Sequence, residues 1–236
     1  MKGLAEAVLL VGGLGTRLRS VVADRPKVLA LVNGKPFLSY LLDQVAAAGI
    51  THTVLCVGYR GEQVQQQFKE EYAGMRLSYS QEESLLGTGG ALRLAIPRVG
   101  SDTVLVMNGD SYLNLRIGDF WRSHLERGAN ASMALTHQAD TARYGRVSLD
   151  PDGKITGFEE KGSTSGQGWI NAGLYLVKTE MVRAIPAGRV ISLEREVFPT
   201  WIGGGFFGYH TNGRFLDIGT PESYAQADEL FAGERH

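Results

Sequence analysis

The chain has 236 residues, 43% of them hydrophobic and 21% charged, which suffices for one sizeable α/β domain of ordinary globular composition. Its formal net charge of −1 gives no basic surface for nucleic acid or an anionic membrane, and no apolar run reaches the length of a membrane-spanning helix. The sole Cys56 lies in an apolar run as a core thiol would, the five histidines lack zinc spacing, and the first strand begins too soon after Met1 for a signal peptide, so the cytoplasm is the expected compartment.

The first predicted element is the strand Ala5–Leu10, which runs into Val11-Gly12-Gly13-Leu14-Gly15-Thr16-Arg17-Leu18, with Arg25-Pro26-Lys27 downstream. Glycines let a backbone approach a ligand and aim several N–H groups at it. Arg17 and Lys27 supply the cations a polyphosphate needs, and Thr16 adds a hydroxyl. The run reads as a triphosphate-binding loop at the C-terminal end of the first strand, where α/β sheets bind ligands. It is not a Walker loop, because no Gly-x-x-x-x-Gly-Lys-Ser/Thr run exists. The dinucleotide fingerprint also fails, since Leu18 stands where Gly13-Leu14-Gly15 would need a third glycine.

Pro36 opens a helix through Ala48, closed by Gly49; then come a strand (Thr53–Val57), a polar helix (Glu62–Tyr72) and a short strand (Leu77–Ser80). Gln81 and Glu82 follow, with groups able to read the edge of a base, and either of them fits that role. A second glycine turn, Gly87-Thr88-Gly89-Gly90, leads into a helix over Gly89–Ile96, with Thr88 as its cap. The strand Thr103–Met107 ends at Asn108-Gly109-Asp110. Asp110 fits a turn cap, and equally a Mg²⁺ ligand facing the phosphate loop. A helix (Ile117–Arg127) and a strand (Ala131–Thr136) complete this half.

After about residue 140 the pattern changes. Gly145–Leu149 and Lys154–Phe158 flank Asp150-Pro151-Asp152-Gly153, a hairpin signal. The strand Asn171–Val177, short helices over Thr179–Ala184 and Leu193–Pro199, strands Phe206–Tyr209 and Phe215–Ile218, and a helix from Pro221 to about Phe231 follow. Asp217 lies between Leu216 and Ile218, where a charge needs a reason; convergence with Asp110 on one Mg²⁺ supplies it. The expected fold is a Rossmann-like, mixed but mostly parallel sheet flanked by helices. It forms a single domain over 1–236, with a nucleotide-binding half at about 1–140 and a sugar-phosphate half at about 141–236.

Taken together, the glycine loop with Arg17 and Lys27, the second glycine turn, the two strand-end aspartates, Arg143-Tyr144-Gly145, Glu159-Glu160-Lys161-Gly162 and Asn171-Ala172-Gly173 resemble the sugar-1-phosphate nucleotidyltransferases. Within them the chain is similar to the D-glycero-D-manno-heptose 1-phosphate guanylyltransferases, through Arg19-Ser20-Val21-Val22, Leu86 to Ala91, Ser192-Leu193-Glu194 near Phe198-Pro199, and Asp217 to Tyr224. Val11 replaces a frequent Ala and Ser20 a frequent Pro; neither change removes a phosphate ligand. The resemblance implies Arg17 and Lys27 as catalytic groups and Asp110 and Asp217 as Mg²⁺ ligands. It implies nucleotide contacts from Leu10, Gly12, Gly13, Gly15, Thr16, Gln81, Glu82, Gly87, Thr88 and Asn108, with the second glycine turn as a side-chain-free wall for the base. It implies sugar-phosphate contacts from Tyr144, Gly145, Glu160, Lys161 and Asn171.

The function so implied is transfer of a nucleotidyl group from a nucleoside triphosphate, GTP, to a sugar 1-phosphate with release of pyrophosphate, by a monomer or small homo-oligomer. Three alternatives differ in testable ways. A uridylyltransferase for another sugar 1-phosphate, such as N-acetylmuramate 1-phosphate, would keep the mechanism. A nucleotide-sensing module would bind nucleotide and release no pyrophosphate. An NAD-dependent dehydrogenase conflicts with the missing third glycine.

Overall fold

The computed structural model describes residues 3–13, 15, 17–18, 20–22, 24–159 and 166–232. Strand β1 (Glu6–Leu10) leads through the glycine loop and a 3₁₀ turn, Lys27–Leu29, into the hairpin β2 (Leu31–Val32) and β3 (Lys35–Pro36). Its turn is Asn33-Gly34, both at positive φ, the signature of a two-residue hairpin, which the helix expected from Pro36 had overshadowed. Helix α1 (Phe37–Ala47) and strand β4 (His52–Val57) follow. Helix α2 (Gly61–Phe68) stops short of the expected Tyr72. The chain instead reverses through Ala73-Gly74, at φ 49° and 79°, so that β5 (Glu71–Tyr72) pairs antiparallel with the start of β6 (Met75–Gln81).

Helix α3 (Gly87–Ala95) tightens into a 3₁₀ turn at Pro97, and β7 (Thr103–Asn108) follows. Then come β8 (Ser111–Leu113), α4 (Ile117–Glu126), β9 (Ala131–Gln138) and the hairpin β10 (Val147–Leu149) with β11 (Ile155–Phe158). Strand β12 (Gly168–Lys178) runs into α5 (Thr179–Arg183). A π-helical turn, Leu193–Val197, continues as α6 (Phe198–Trp201). Strands β13 (Phe206–Thr211) and β14 (Phe215–Asp217) precede α7 (Pro221–Ala225) and α8 (Ala227–Phe231), which are two short helices rather than the expected one.

Eight strands form the central sheet in the order β13-β9-β12-β7-β1-β4-β6-β5. β13 is parallel to β9, and β7, β1, β4 and β6 are mutually parallel; β12 runs antiparallel to both its neighbours. Side-chain alternation divides the sheet between two cores. Ala7, Leu9, Leu55, Leu105 and Met107 pack under α1, α2, α4 and α8, through Leu41, Val64, Phe120 and Phe231. Val8, Val54, Cys56, Val104 and Val106 pack under α3, α5 and α6, through Leu92, Val182 and Phe198. β4 and β6 extend the sheet to one side of β1 and β7 lies on the other, so the chain order reverses beside β1. The C-terminal ends of β1 and β7, Leu10 beside Asn108, border the crevice that such a reversal opens. Among the described residues no helix is long and apolar enough to cross a membrane.

Candidate active site

That crevice is a cleft of about 600 Å³, within the usual range for small-molecule sites. One part of its lining is built on the loop after β1. Gly15 adopts φ +59°, and a Cβ there would lie 3.1 Å from Lys27 Cβ, so glycine both permits the turn and lets Lys27 close against it. Lys27 Nζ donates to Asp110 Oδ2 at 2.6 Å. Asp110 sits between β7 and β8, and β8 pairs antiparallel with β14, setting Asp217 opposite Ser111. The ladder continues with Ile218 N donating to Asp110 O at 2.9 Å. A three-residue strand thus brings together two aspartates that are far apart in sequence. Gly219 N donates to Asp217 Oδ1 at 2.5 Å, and a Cβ on Gly219 would lie 3.4 Å from an Arg17 guanidinium nitrogen.

Burial pushes the Asp217 carboxyl above the ordinary aspartate range and the charge of Asp110 adds to this, against the opposing pull of Lys27, the Gly219 N–H and Arg17. Two hard oxygen ligands in mutual repulsion at the cleft wall fit a magnesium-type cation, which takes one or two carboxylates and completes its shell with phosphate oxygens and water. Among the described residues no group of three or more His, Cys, Asp or Glu side chains could hold a metal, so an ion here would depend on substrate for the rest of its ligands.

Leu10, Gly12, Gly13, Gly87, Thr88 and Asn108 also line the cleft. Of the two candidate base readers, Glu82 reaches the cleft wall. Its Oε2 accepts from Leu86 N at 3.0 Å, and burial pushes its carboxyl above the ordinary value. Gln81 turns away from the wall, its amide donating to Gly58 O and Glu82 O at 3.2 and 3.3 Å. The second glycine turn serves a purpose the resemblance did not imply. A Cβ on Gly87 would sit 2.5 Å from Ile191 O, and one on Gly90 2.5 Å from Arg189 O. The missing side chains make room for the backbone of the segment that enters the π-helical turn. Thr88 Oγ1 donates to Glu194 Oε2 at 2.9 Å and accepts from Leu193 N at 2.8 Å, while Ser192 Oγ donates to the same carboxylate oxygen. Ser192 and Glu194 thereby become part of the cleft wall, together with Arg195, while Leu193 packs into the core.

Tyr144, Gly145, Glu159 and Asn171 also line the cleft. Tyr144 meets Phe215 edge-on at 5.6 Å. Asn171 Nδ2 donates to the buried Tyr175 hydroxyl at 2.8 Å, and Asn171 Oδ1 accepts from Gly173 N at 2.9 Å, which fixes the amide orientation. Thr16, Glu160 and Lys161 lie outside the described residues. Arg146, Phe158 and Arg195 line the cleft without having been singled out by any motif.

The family model described as nucleotidyl transferase matches residues 6–233. The chain belongs to the nucleotidyl transferase family. It is 33% identical over 225 residues to the D-glycero-alpha-D-manno-heptose 1-phosphate guanylyltransferase of Aneurinibacillus thermoaerophilus, covering 95% of this chain and 97% of that protein. It is 35% identical over 225 residues to the mannose-1-phosphate guanylyltransferase of Mycobacterium tuberculosis, covering 94% of this chain but 63% of that longer protein. The crystal structure of HddC from Yersinia pseudotuberculosis complexed with GMP-PN aligns with a TM-score of 0.85 at 31% identity, covering 97% of this chain and 100% of that one. In a nucleotidyl transferase, a cleft lined by cations and carboxylates together with hydroxyl- and amide-bearing side chains can hold a polyphosphate against a second, polar substrate.

Proposed function

We propose that this nucleotidyl transferase couples GTP to D-glycero-α-D-manno-heptose 1-phosphate, releasing pyrophosphate and forming the GDP-sugar. The observation that carries the choice of base is Glu82. One of its carboxylate oxygens is held by Leu86 N–H, and the side chain faces the cleft. A carboxylate only accepts hydrogen bonds, so it prefers an edge with two adjacent donors. Guanine presents N1–H and N2–H₂ side by side. Uracil and thymine set one N–H between two carbonyls, and adenine and cytosine place an acceptor beside the amino group. The heptose is supported by the full-length likeness to the guanylyltransferase of that name.

The reaction is an in-line substitution. An oxygen of the sugar phosphate bonds to the α-phosphorus, the bond from that phosphorus to the bridging oxygen breaks, and pyrophosphate leaves. A phosphate monoester is already a competent nucleophile, so positioning and charge neutralisation suffice. Arg17 binds the β- and γ-phosphates and stabilises the departing pyrophosphate. Lys27, held at Asp110, faces the α-phosphate and the incoming phosphate. Asp110 and Asp217 would hold Mg²⁺, which would supply positive charge to offset that of the phosphates. The nucleotide contacts are assigned to Leu10, Gly12, Gly13, Gly15, Thr16, Thr88 and Asn108, and the sugar-phosphate contacts to Tyr144, Gly145, Glu160, Lys161 and Asn171. The two halves, about 1–140 and about 141–236, act as one domain, in the cytoplasm where the triphosphate is available.

The test is pyrophosphate release with Mg²⁺, crossing GTP, UTP, dTTP, CTP and ATP against sugar 1-phosphates that include the manno-heptose, mannose and N-acetylmuramate compounds. Release with GTP and the heptose phosphate is expected. Release with another pair would replace the substrate assignment, and nucleotide binding without release would contradict transfer. The Glu82→Gln variant is expected to lose at least ~10-fold in kcat/KM for GTP, the cost of unmatching one hydrogen bond to a charged group.

A further inference from the structure

Arg146 is a cation in the cleft whose work none of the motifs explains. It follows Tyr144-Gly145, and its carbonyl accepts from Glu159 N at 2.8 Å, which sets the Arg146 and Glu159 backbones side by side at the edge of the site. Its side chain lies across Gly168, at the start of β12. A Cβ on Gly168 would fall 2.6 Å from Arg146 Nε, 3.1 Å from Cδ and 3.2 Å from Cγ. Any residue but glycine at 168 would therefore push the guanidinium from its place. Held there, Arg146 Nε is buried with no hydrogen-bond partner among the described residues. With Nε closed in against Gly168, the terminal guanidinium nitrogens, which are not enclosed in that way, are the donors a ligand in the cleft can reach.

The position of Arg146 says which ligand. The phosphate cations Arg17 and Lys27 stand at Asp217 and Asp110, and the base reader Glu82 stands beside the loop after β1. Arg146 lines the same cleft and directly follows Tyr144 and Gly145, to which the reading above assigns the sugar phosphate. We propose that Arg146 is a specificity-determining residue for the sugar 1-phosphate, donating from its guanidinium to hydroxyl oxygens of the sugar. This rests on the transferase reading above. A planar guanidinium offers parallel N–H groups matched to two neighbouring oxygens, which a lysine ammonium does not reproduce.

The test is steady-state kinetics of Arg146→Met, which keeps the apolar stem, and of Arg146→Lys, which keeps the charge, with thermal melts to confirm folding. The expected result for Arg146→Met is a KM for the sugar 1-phosphate raised about 10- to 100-fold, the value of a charged hydrogen bond, with KM for GTP within about twofold. Arg146→Lys recovers only part of the loss. Inhibition by the free sugar, which has no phosphate, weakens in parallel. Gly168→Ala gives the same pattern by displacing the guanidinium. An unchanged sugar KM in a folded Arg146→Met overturns the proposal, as does a loss borne by GTP. A loss seen for inorganic phosphate but not for the free sugar overturns the assignment to hydroxyls. If the wild-type chain turns over no substrate pair, the transferase reading has failed by itself. Calorimetric binding of sugar 1-phosphates to wild type and Arg146→Met then decides the role of Arg146 separately.

Discussion

Asp217 is held at a cost to the fold. Burial and the neighbouring Asp110 raise its proton affinity above that of an aspartate in the unfolded chain. A raised carboxyl means that, between its unfolded and folded pKa values, the native state binds more protons than the unfolded one, so metal-free stability falls as pH rises through that window and stays lowered above it. Asp217→Asn is therefore expected to raise the metal-free melting temperature at neutral pH, by about 2–4 °C per kcal/mol recovered. The same variant loses turnover by two or more orders of magnitude, on the order of what one electrostatic group contributes at a reacting phosphate. A melting temperature that drops with the substitution would contradict this reading of the pair. Tyr175 acts one step back from the substrate. Its hydroxyl, kept protonated by burial, orients Asn171. Tyr175→Phe is expected to raise the sugar 1-phosphate KM about 5- to 10-fold, roughly one hydrogen bond, with KM for GTP unchanged. That Arg17, Lys27, Asp110 and Asp217 come together in one cleft was legible in the sequence, because each stands out as a charge in or after a glycine loop or an apolar strand. Arg146 was not, because its placement depends on Gly168, a partner distant in the chain; Glu194 stood in a motif, but its contact with Thr88 was not readable from it.

Among the elements, the long strands of the sheet were plain from apolar runs, and the short pairings that build the site were not. β8 is three residues long, and in the sequence Ser111-Tyr112-Leu113 has no alternation to mark it. Its pairing with β14 is nonetheless what sets Asp217 beside Asp110. The end of α2 was misplaced because Glu70 to Tyr72 is compatible with a helix, and only pairing with β6 pulls it into a strand. Between α4 and β9 a buried histidine supplies a pH test. His124 Nδ1 lies 2.8 Å from Ser132 Oγ, and burial, with a smaller push from Lys178, lowers its pKa to about 4. The unfolded chain then binds more protons between the ordinary histidine value and about 4, so stability should decline as pH falls across that interval and level off below it. In His124→Gln the melting temperature should lose much of this slope. An unaltered slope would show that other groups carry it.

Over the whole molecule, the reversal of strand order beside β1 decides where the chemistry can be. It opens one cleft edge to the glycine loop, the end of β7 and β14, while the antiparallel β12 brings Asn171 and Gly173 to the same edge. A mostly parallel sheet with its ligand site at the first strand was readable from the alternation of strands and helices; the insertion of an antiparallel β12 between β7 and β9 was not, since it is fixed by packing across both cores. On the function proposed above, this edge would join a nucleotide to a sugar phosphate with a divalent ion held by Asp110 and Asp217. The most direct test is the rate of pyrophosphate release from GTP and the heptose 1-phosphate as Mg²⁺ is titrated into metal-stripped wild-type protein and into Asp217→Asn. The account predicts no release without metal, saturable recovery in the wild type, and a variant that stays folded while its half-saturating Mg²⁺ concentration rises and its maximal rate collapses. Release that is independent of Mg²⁺, or an Asp217→Asn variant that titrates like the wild type, would contradict it.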